Sequence, residues 1–187
     1  MSAGGCRLYL IAPETPPDGF AAKLRAALQA GDVAALRVRD AAVAALALPI
    51  TRSADVALIL EGDPALAARL GCDGAHISDA EGVAAARCVL GDLQLGVFCG
   101  ASRDAAMRAG EAGADYIAFD AAEIDLISWW AELMEVPVVA EGVADPAGAA
   151  ALARVGADFV AAGDFIWSSS GGPGAAVSAL ATAIADP

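Results

Sequence analysis

The sequence predicts a single eight-stranded α/β barrel, (β/α)8, of the TIM type, and three observations predict it. The first is an internal repeat. Gly31-Asp32-Val33-Ala34, Gly71-Cys72-Asp73-Gly74-Ala75-His76-Ile77, Gly113-Ala114-Asp115-Tyr116-Ile117 and Gly156-Ala157-Asp158-Phe159-Val160 each follow an alanine-rich run and open a short apolar one, with the glycines 40, 42 and 43 residues apart. The second is the set of four further apolar runs, 7–12, 56–60, 93–99 and 136–140, that interleave with the repeat and bring the strands to eight. The third is length: 187 residues is one domain's worth, slightly below the usual size of such a barrel, and leaves little beyond the eight units.

Taken in order, strands are expected near Arg7, Val33, Val56, Gly74, Leu93, Tyr116, Val136 and Phe159. Their continuous apolar character suits a parallel sheet buried on both faces. Helices are expected at about 17–30, 41–47, 64–70, 80–89, 102–111, 124–134, 146–154 and 174–185. Ser102 can cap the fifth helix and Asp145 the seventh, where Pro146 takes the first helical position. The second is held to Asp40 to Leu48, either one short turn pair or an irregular segment, because Pro49 lacks the N–H that a helix interior needs. Each repeat glycine is expected to end its helix in a left-handed turn. Strict alternation also fits an open doubly wound sheet. The count of eight and the repeated double unit favour closure, and the first strand ends Ala12-Pro13-Glu14 without a dinucleotide-binding glycine turn.

Composition narrows the function. With 58% hydrophobic and 19% charged residues the chain can fill a barrel and its helical jacket, and it lacks the character of a disordered segment. No stretch of about 18 apolar residues exists to cross a bilayer, because 165–185 is broken by Ser168-Ser169-Ser170-Gly171-Gly172-Pro173-Gly174. Met1 to Cys6 has neither the basic region nor the apolar run of a signal peptide, so a cytoplasmic protein is expected. A net charge of −13 with a single lysine, Lys23, argues against nucleic acid and anionic membranes, and leaves a small-molecule substrate as the expected partner. Four scattered cysteines and one histidine make no zinc pattern and read as small buried hydrophobes. The sequence does not fix an oligomeric state.

In such a barrel the functional side chains lie at the carboxyl ends of the strands. Period-two alternation puts Val33, Ala35, Arg37 and Arg39 on one face, so two arginines meet at the mouth, either to hold an anionic ligand or to pair with acids at the rim. The third strand ends Glu61-Gly62-Asp63-Pro64. Glu61 and Asp63 share one parity and as a carboxylate pair can hold Mg2+, or Asp63 can simply cap the next helix. His76 ends the fourth strand, with Ser78, Asp79 and Glu81 beyond it. The seventh and eighth strands end Glu141-Gly142 and Gly163-Asp164. Glycines there permit a phosphate to approach the backbone, while each carboxylate at about 4 Å would repel it by roughly 1 kcal/mol per charge pair in water.

These residues in this order resemble the thiamine-phosphate synthase and thiazole tautomerase family. The resemblance runs almost end to end through Leu8-Tyr9-Leu10, Leu36-Arg37-Val38-Arg39 where the family has Gln-Leu-Arg-x-Lys, Cys72-Asp73-Gly74-Ala75-His76-Ile77, Ala112-Gly113-Ala114-Asp115-Tyr116-Ile117 and Val136-Pro137-Val138-Val139-Ala140. It implies a Mg2+-dependent transferase that joins hydroxymethylpyrimidine pyrophosphate to thiazole phosphate and releases pyrophosphate. Arg37 and Arg39 match the pyrophosphate-binding Arg and Lys; His76, Gly142 and Gly163 fall at substrate positions; Asp63 and Asp79 are the carboxylates left to hold Mg2+.

Departures gather at the mouth. The motif's Gln is Ala35, the Asn-Asp pair is Glu61-Gly62, the Thr- and Lys-bearing loop after the sixth strand is Phe119-Asp120-Ala121-Ala122-Glu123, the Gly-Gly of the seventh strand is Glu141-Gly142, and the Ser of the eighth is Asp164. The tautomerase branch's histidine beyond the fifth strand has no counterpart in Phe98-Cys99-Gly100-Ala101. The alternative is a catalytically degenerate relative that binds or regulates, or one that takes a less anionic ligand.

Overall fold

In a computed structural model describing residues 5–187, eight parallel strands close in sequence order, β1-β2-β3-β4-β5-β6-β7-β8, with β8 returning to β1. The strands are β1 Arg7–Ile11, β2 Val33–Val38, β3 Ala57–Glu61, β4 Gly74–Ile77, β5 Gln94–Gly100, β6 Tyr116–Asp120, β7 Val138–Glu141 and β8 Phe159–Ala162. The helices are α1 Phe20–Leu28, α2 Ala41–Ser53, α3 Pro64–Leu70, α4 Val83–Leu90, α5 Arg103–Glu111, α6 Ile124–Leu133, α7 Pro146–Arg154, α8 Asp164–Trp167 and α9 Gly172–Ala185. Met1 to Gly4, on which the reading of the chain's start rests, lie outside the described residues. Among those described, no helix is long and apolar enough to cross a membrane.

Alternation along each strand builds two concentric cores. Leu8, Leu10, Leu36, Leu58, Leu60, Leu95 and Ile117 face outward and pack under the helices. Tyr9, Ala35, Ile59, Tyr116, Ala118, Val139 and Ala161 face the barrel axis. The outer core is mainly aliphatic, with Phe20, Phe119 and Trp130 among its buried members, and supplies most of the apolar burial. The inner one is built largely of small residues, which leaves room on the axis for two tyrosines. Gly96 shows the constraint most sharply: a Cβ there would lie 1.9 Å from Tyr116 Cζ. Only glycine lets the Tyr116 ring cross the barrel.

The repeated aspartate has a structural role. Asp73 accepts from the Leu58 N–H at 2.7 Å, Asp115 from Leu95 N–H at 2.7 Å and Asp158 from Val138 N–H at 2.9 Å. Each thus holds the first amides of the preceding strand, fixing the register of the pair from its amino end. Asp32 does something different and binds Arg7 through Nε at 2.8 Å.

Several local expectations are corrected. Gly71, Gly113 and Gly156 adopt the expected positive φ of 73°, 100° and 99°, but Gly31 does not. It is small because α9 lies against it: a Cβ would stand 2.9 Å from Ala181 Cβ. Helix α2 does not stop at Pro49 but runs through it to Ser53. Asp40 caps its start by accepting from the Ala42 and Val43 N–H groups, and burial of Ala44, Ala47, Ile50 and Thr51 outweighs the hydrogen bond that proline removes. The fourth helix opens with a 3-10 turn, Ala80–Gly82, and α1 starts at Phe20 after the Pro16-Pro17 pair. The short α8 was not anticipated; it starts directly at the end of β8.

Candidate active site at the barrel mouth

Arg37 is the centre of the mouth. It is 2% exposed, an unusual degree of burial for an arginine. Its Nη1 donates to Glu141 Oε2 at 2.9 Å and its Nη2 to Glu141 Oε1, a two-pronged pair between β2 and β7. Its Nε lies 3.0 Å from Glu61 Oε2, close enough for attraction but not aligned for a hydrogen bond. Burial pulls the guanidinium pKa down, and the hydrogen bonds and charge of Glu141, with smaller help from Tyr9 and Glu61, reverse that and raise it overall. Arg37 is charged at any working pH.

Arg39 continues the chain of charges outward. Its Nε donates to Glu61 Oε1 at 2.9 Å and its Nη1 to Glu14 Oε1 at 2.7 Å, with its side chain 43% exposed. Of the two alternatives read from the sequence, the pairing is what is seen: both arginines face the mouth and each is already paired with acids. A cavity of about 250 Å³ lies over Arg37, His76, Ser78 and Phe98, and a second of about 450 Å³ over Glu14, Gly142, Gly163 and Asp164. Arg39 and Glu141 form the wall common to both. Four carboxylates, Glu14, Glu61, Glu141 and Asp164, line this mouth against two guanidiniums.

His76 is buried on the axis side of β4. Its Nδ1 lies 3.1 Å from the Tyr116 hydroxyl, which in turn lies 3.0 Å from the Tyr9 hydroxyl. Nε2 has no hydrogen-bond partner and faces Glu141 Oε2 at 3.9 Å. Burial first, then the Arg37 charge, holds the imidazole pKa well below its ordinary value, so the ring is neutral near pH 7. Burial likewise raises both tyrosine hydroxyls, which keep their protons.

The remaining sequence candidates occupy distinct places. Asp63 and Asp79 each spend one oxygen as a cap: Asp63 Oδ1 accepts from Leu66 N–H at 2.9 Å and Asp79 Oδ1 from Glu81 N–H at 3.0 Å. They share a separate cavity of about 410 Å³ between α3 and α4 that meets the mouth at Gly62 and Ser78. Among the described residues no group of three or more potential ligands could by itself enclose a metal. Gly142 has φ 96°, and its N–H is spent on the Ala161 carbonyl at 3.1 Å. Gly163 packs over Ile11, where a Cβ would come within 3.4 Å of a carbonyl oxygen. Tyr9, Tyr116, Glu14 and Phe98 were not singled out from the sequence. A tyrosine on a strand facing the barrel axis needs a partner for its hydroxyl, and that is the signal by which Tyr9 and Tyr116 could have been found.

The profile of the family described as thiamine monophosphate synthase matches residues 8–166. The chain belongs to this family. It is 44% identical to the thiamine-phosphate synthase of Rhodospirillum centenum, across 92% of this chain and 94% of that one. It is 40% identical to the thiamine-phosphate synthase of Erythrobacter litoralis, across 96% and 95%. The thiamine phosphate pyrophosphorylase of Pyrococcus furiosus superposes with a TM-score of 0.83 at 19% identity, covering 96% of each chain, which shows a shared fold. Within the thiamine monophosphate synthase family, then, this chain keeps the barrel and the arginine pair and carries an acidic mouth around them.

Proposed function

We propose that the chain, as one barrel domain, is a thiamine-phosphate synthase of the cytoplasm that joins hydroxymethylpyrimidine pyrophosphate to thiazole phosphate. The observation that carries this reading is the buried Arg37 in one of two adjoining cavities, with Arg39 on the wall that both share, in a chain whose relatives, matched over nearly their full length, bear that name. Two cavities suit two substrates. Relatives this similar over nearly the whole chain do not favour a degenerate, purely binding role.

In this reaction the bond between the pyrimidine methylene and the diphosphate oxygen breaks, the thiazole nitrogen attacks the resulting cation, and pyrophosphate leaves. The protein's work is positioning and charge stabilisation. Arg39, the more exposed guanidinium, is placed to accept the leaving diphosphate by exchanging Glu14 for it. Arg37 stays with Glu141 and adds its field. The carboxylates have a role on the other side of the bond: Glu141 and Glu61 stabilise the cation that forms as the diphosphate departs. An acidic mouth is unfavourable for holding phosphate and favourable for making a carbocation.

Mg2+ fits the oxygen-only donors of Asp63 and Asp79, each of which keeps one carboxylate oxygen uncommitted by capping. Two such ligands suit an ion that retains water and arrives with a diphosphate, where it would neutralise leaving-group charge. The test is a pyrophosphate-release assay on purified protein with both substrates and Mg2+. Release that requires each substrate and is abolished by chelation supports the reading; no release above a protein-free control overturns it.

A further inference from the structure

The buried chain Tyr9–Tyr116–His76 carries three protons, one on each hydroxyl and one on the neutral imidazole, and a head-to-tail relay can run through it in two directions. In one, Tyr9 donates to Tyr116, Tyr116 donates to His76 Nδ1, and the imidazole proton sits on Nε2. In the other, His76 Nδ1–H donates to Tyr116, Tyr116 donates to Tyr9, and the Tyr9 proton has no acceptor among the described residues. The remaining arrangement, with Tyr116 accepting from both sides, leaves the Tyr116 proton without an acceptor among the described residues. Both ends of the chain select the first. At the Tyr9 end, the Arg37 charge acts on the hydroxyl and favours its oxygen facing the guanidinium with the proton turned away. At the His76 end, Nε2 faces the Glu141 carboxylate at 3.9 Å, which attracts an N–H and repels a lone pair.

The result is a donor, His76 Nε2–H, that is buried and unpartnered, on a residue that lines the cavity over Arg37. Beside it stands an acceptor, Glu141 Oε2, whose bond from Arg37 Nη1 leaves lone-pair capacity. The separation of 3.9 Å is too long for the two to satisfy each other. It suits a planar ligand edge that presents a lone-pair nitrogen to one and an amino hydrogen to the other.

We infer that His76 Nε2–H and Glu141 Oε2 form a paired donor–acceptor edge that recognises an aminated nitrogen heterocycle, with Tyr9 and Tyr116 as positioning residues that fix the histidine tautomer. The identity of the ring as the aminopyrimidine half-substrate rests on the proposed function. The tautomer does not. Glu141 then selects for the amino group: an oxo group at the same ring carbon meets the carboxylate with a second acceptor, and its neighbouring ring N–H meets the histidine donor.

The chain has a single histidine, so a protein labelled with 15N-histidine gives one unambiguous imidazole. Two-bond proton–nitrogen spectra are expected to show a protonated Nε2 and a bare Nδ1; a protonated Nδ1 in the wild type overturns the relay. Tyr116→Phe is expected to leave a mixture of tautomers, and an unchanged spectrum in that variant overturns the positioning role of Tyr116. The wild-type spectrum decides the tautomer even where the variant fails to fold. Titration with 4-amino-5-hydroxymethyl-2-methylpyrimidine is expected to move the Nε2–H resonance saturably, and the same ring carrying oxygen in place of the amino group should bind at least about tenfold more weakly. Equal affinity for the two rings, or no movement of His76, overturns the donor–acceptor edge. Pyrophosphate release without ring discrimination would uphold the proposed function while this inference fails, and discrimination without release would do the reverse.

Discussion

Glu141→Gln should make the protein less stable and a better binder of inorganic pyrophosphate, two effects of opposite sign from one carboxylate. Removing one partner of a buried ion pair costs about 3–5 kcal/mol. Here glutamine keeps one acceptor oxygen, Glu61 still lies 3.0 Å from Arg37 Nε, and the Glu141 side chain is itself 19% exposed. These reduce the expected cost to about 2 kcal/mol, or roughly 4–8 °C in Tm for a chain of this size. The anion affinity moves the other way. One negative charge removed from about 4 Å relieves roughly 1 kcal/mol in water and about 4 kcal/mol near a protein surface, so a tightening of about tenfold is a conservative expectation. Urea denaturation reads the first effect and calorimetric titration with pyrophosphate the second. A variant as stable as the wild type and no tighter for pyrophosphate would refute the assignment of Glu141 as the charge that occupies Arg37.

Three further outcomes are expected. Gly96→Ala, which places a Cβ 1.9 Å from Tyr116 Cζ, should destabilise by roughly 1–3 kcal/mol and scramble the His76 imidazole signal, read by thermal melts and nitrogen NMR. Asp73→Ala and Asp158→Ala should each cost about 1–2 kcal/mol by leaving the amides of Leu58 and Val138 without an acceptor, and urea melts would show it. Because burial and Arg37 depress the His76 pKa in the folded state, the unfolded chain binds the extra proton first. Stability is therefore full above the unfolded value near 6.5 and falls as pH drops below it, by up to about 1.4 kcal/mol per unit. His76→Gln should flatten that slope between about pH 5 and 6.5 in urea melts.

The barrel was legible because its signals are local and repeated. Glycine and aspartate at each even-numbered strand mark the junctions, and the structure adds the reason for three of the aspartates, which hold strand amides. Alternation on β2 also placed Arg37 and Arg39 at one mouth. What pattern could not supply was partner choice across the barrel. Arg37 on β2 meets Glu141 on β7, 104 residues away, and Tyr9 meets Tyr116 over 107. Those contacts depend on closure and on the small residues, Ala35, Gly96, Ala118 and Ala161, that clear the axis. The passage of α2 through Pro49 was hidden for the same reason, since burial of its far side outweighs a local breaker. Asp63 reads equally well as a cap and as a metal ligand because a carboxylate has two oxygens and the cap uses one.

The central claim is that an acidic mouth built around two paired arginines still carries out the transfer. The most direct measurement is simultaneous quantification of thiamine phosphate and pyrophosphate formed by the purified protein from both substrates with Mg2+, alongside Arg39→Ala. Equal amounts of the two products from the wild type, with turnover reduced at least about tenfold in the variant, is the result this account predicts. Absence of both products, or an Arg39→Ala variant that works as fast as the wild type, would contradict it.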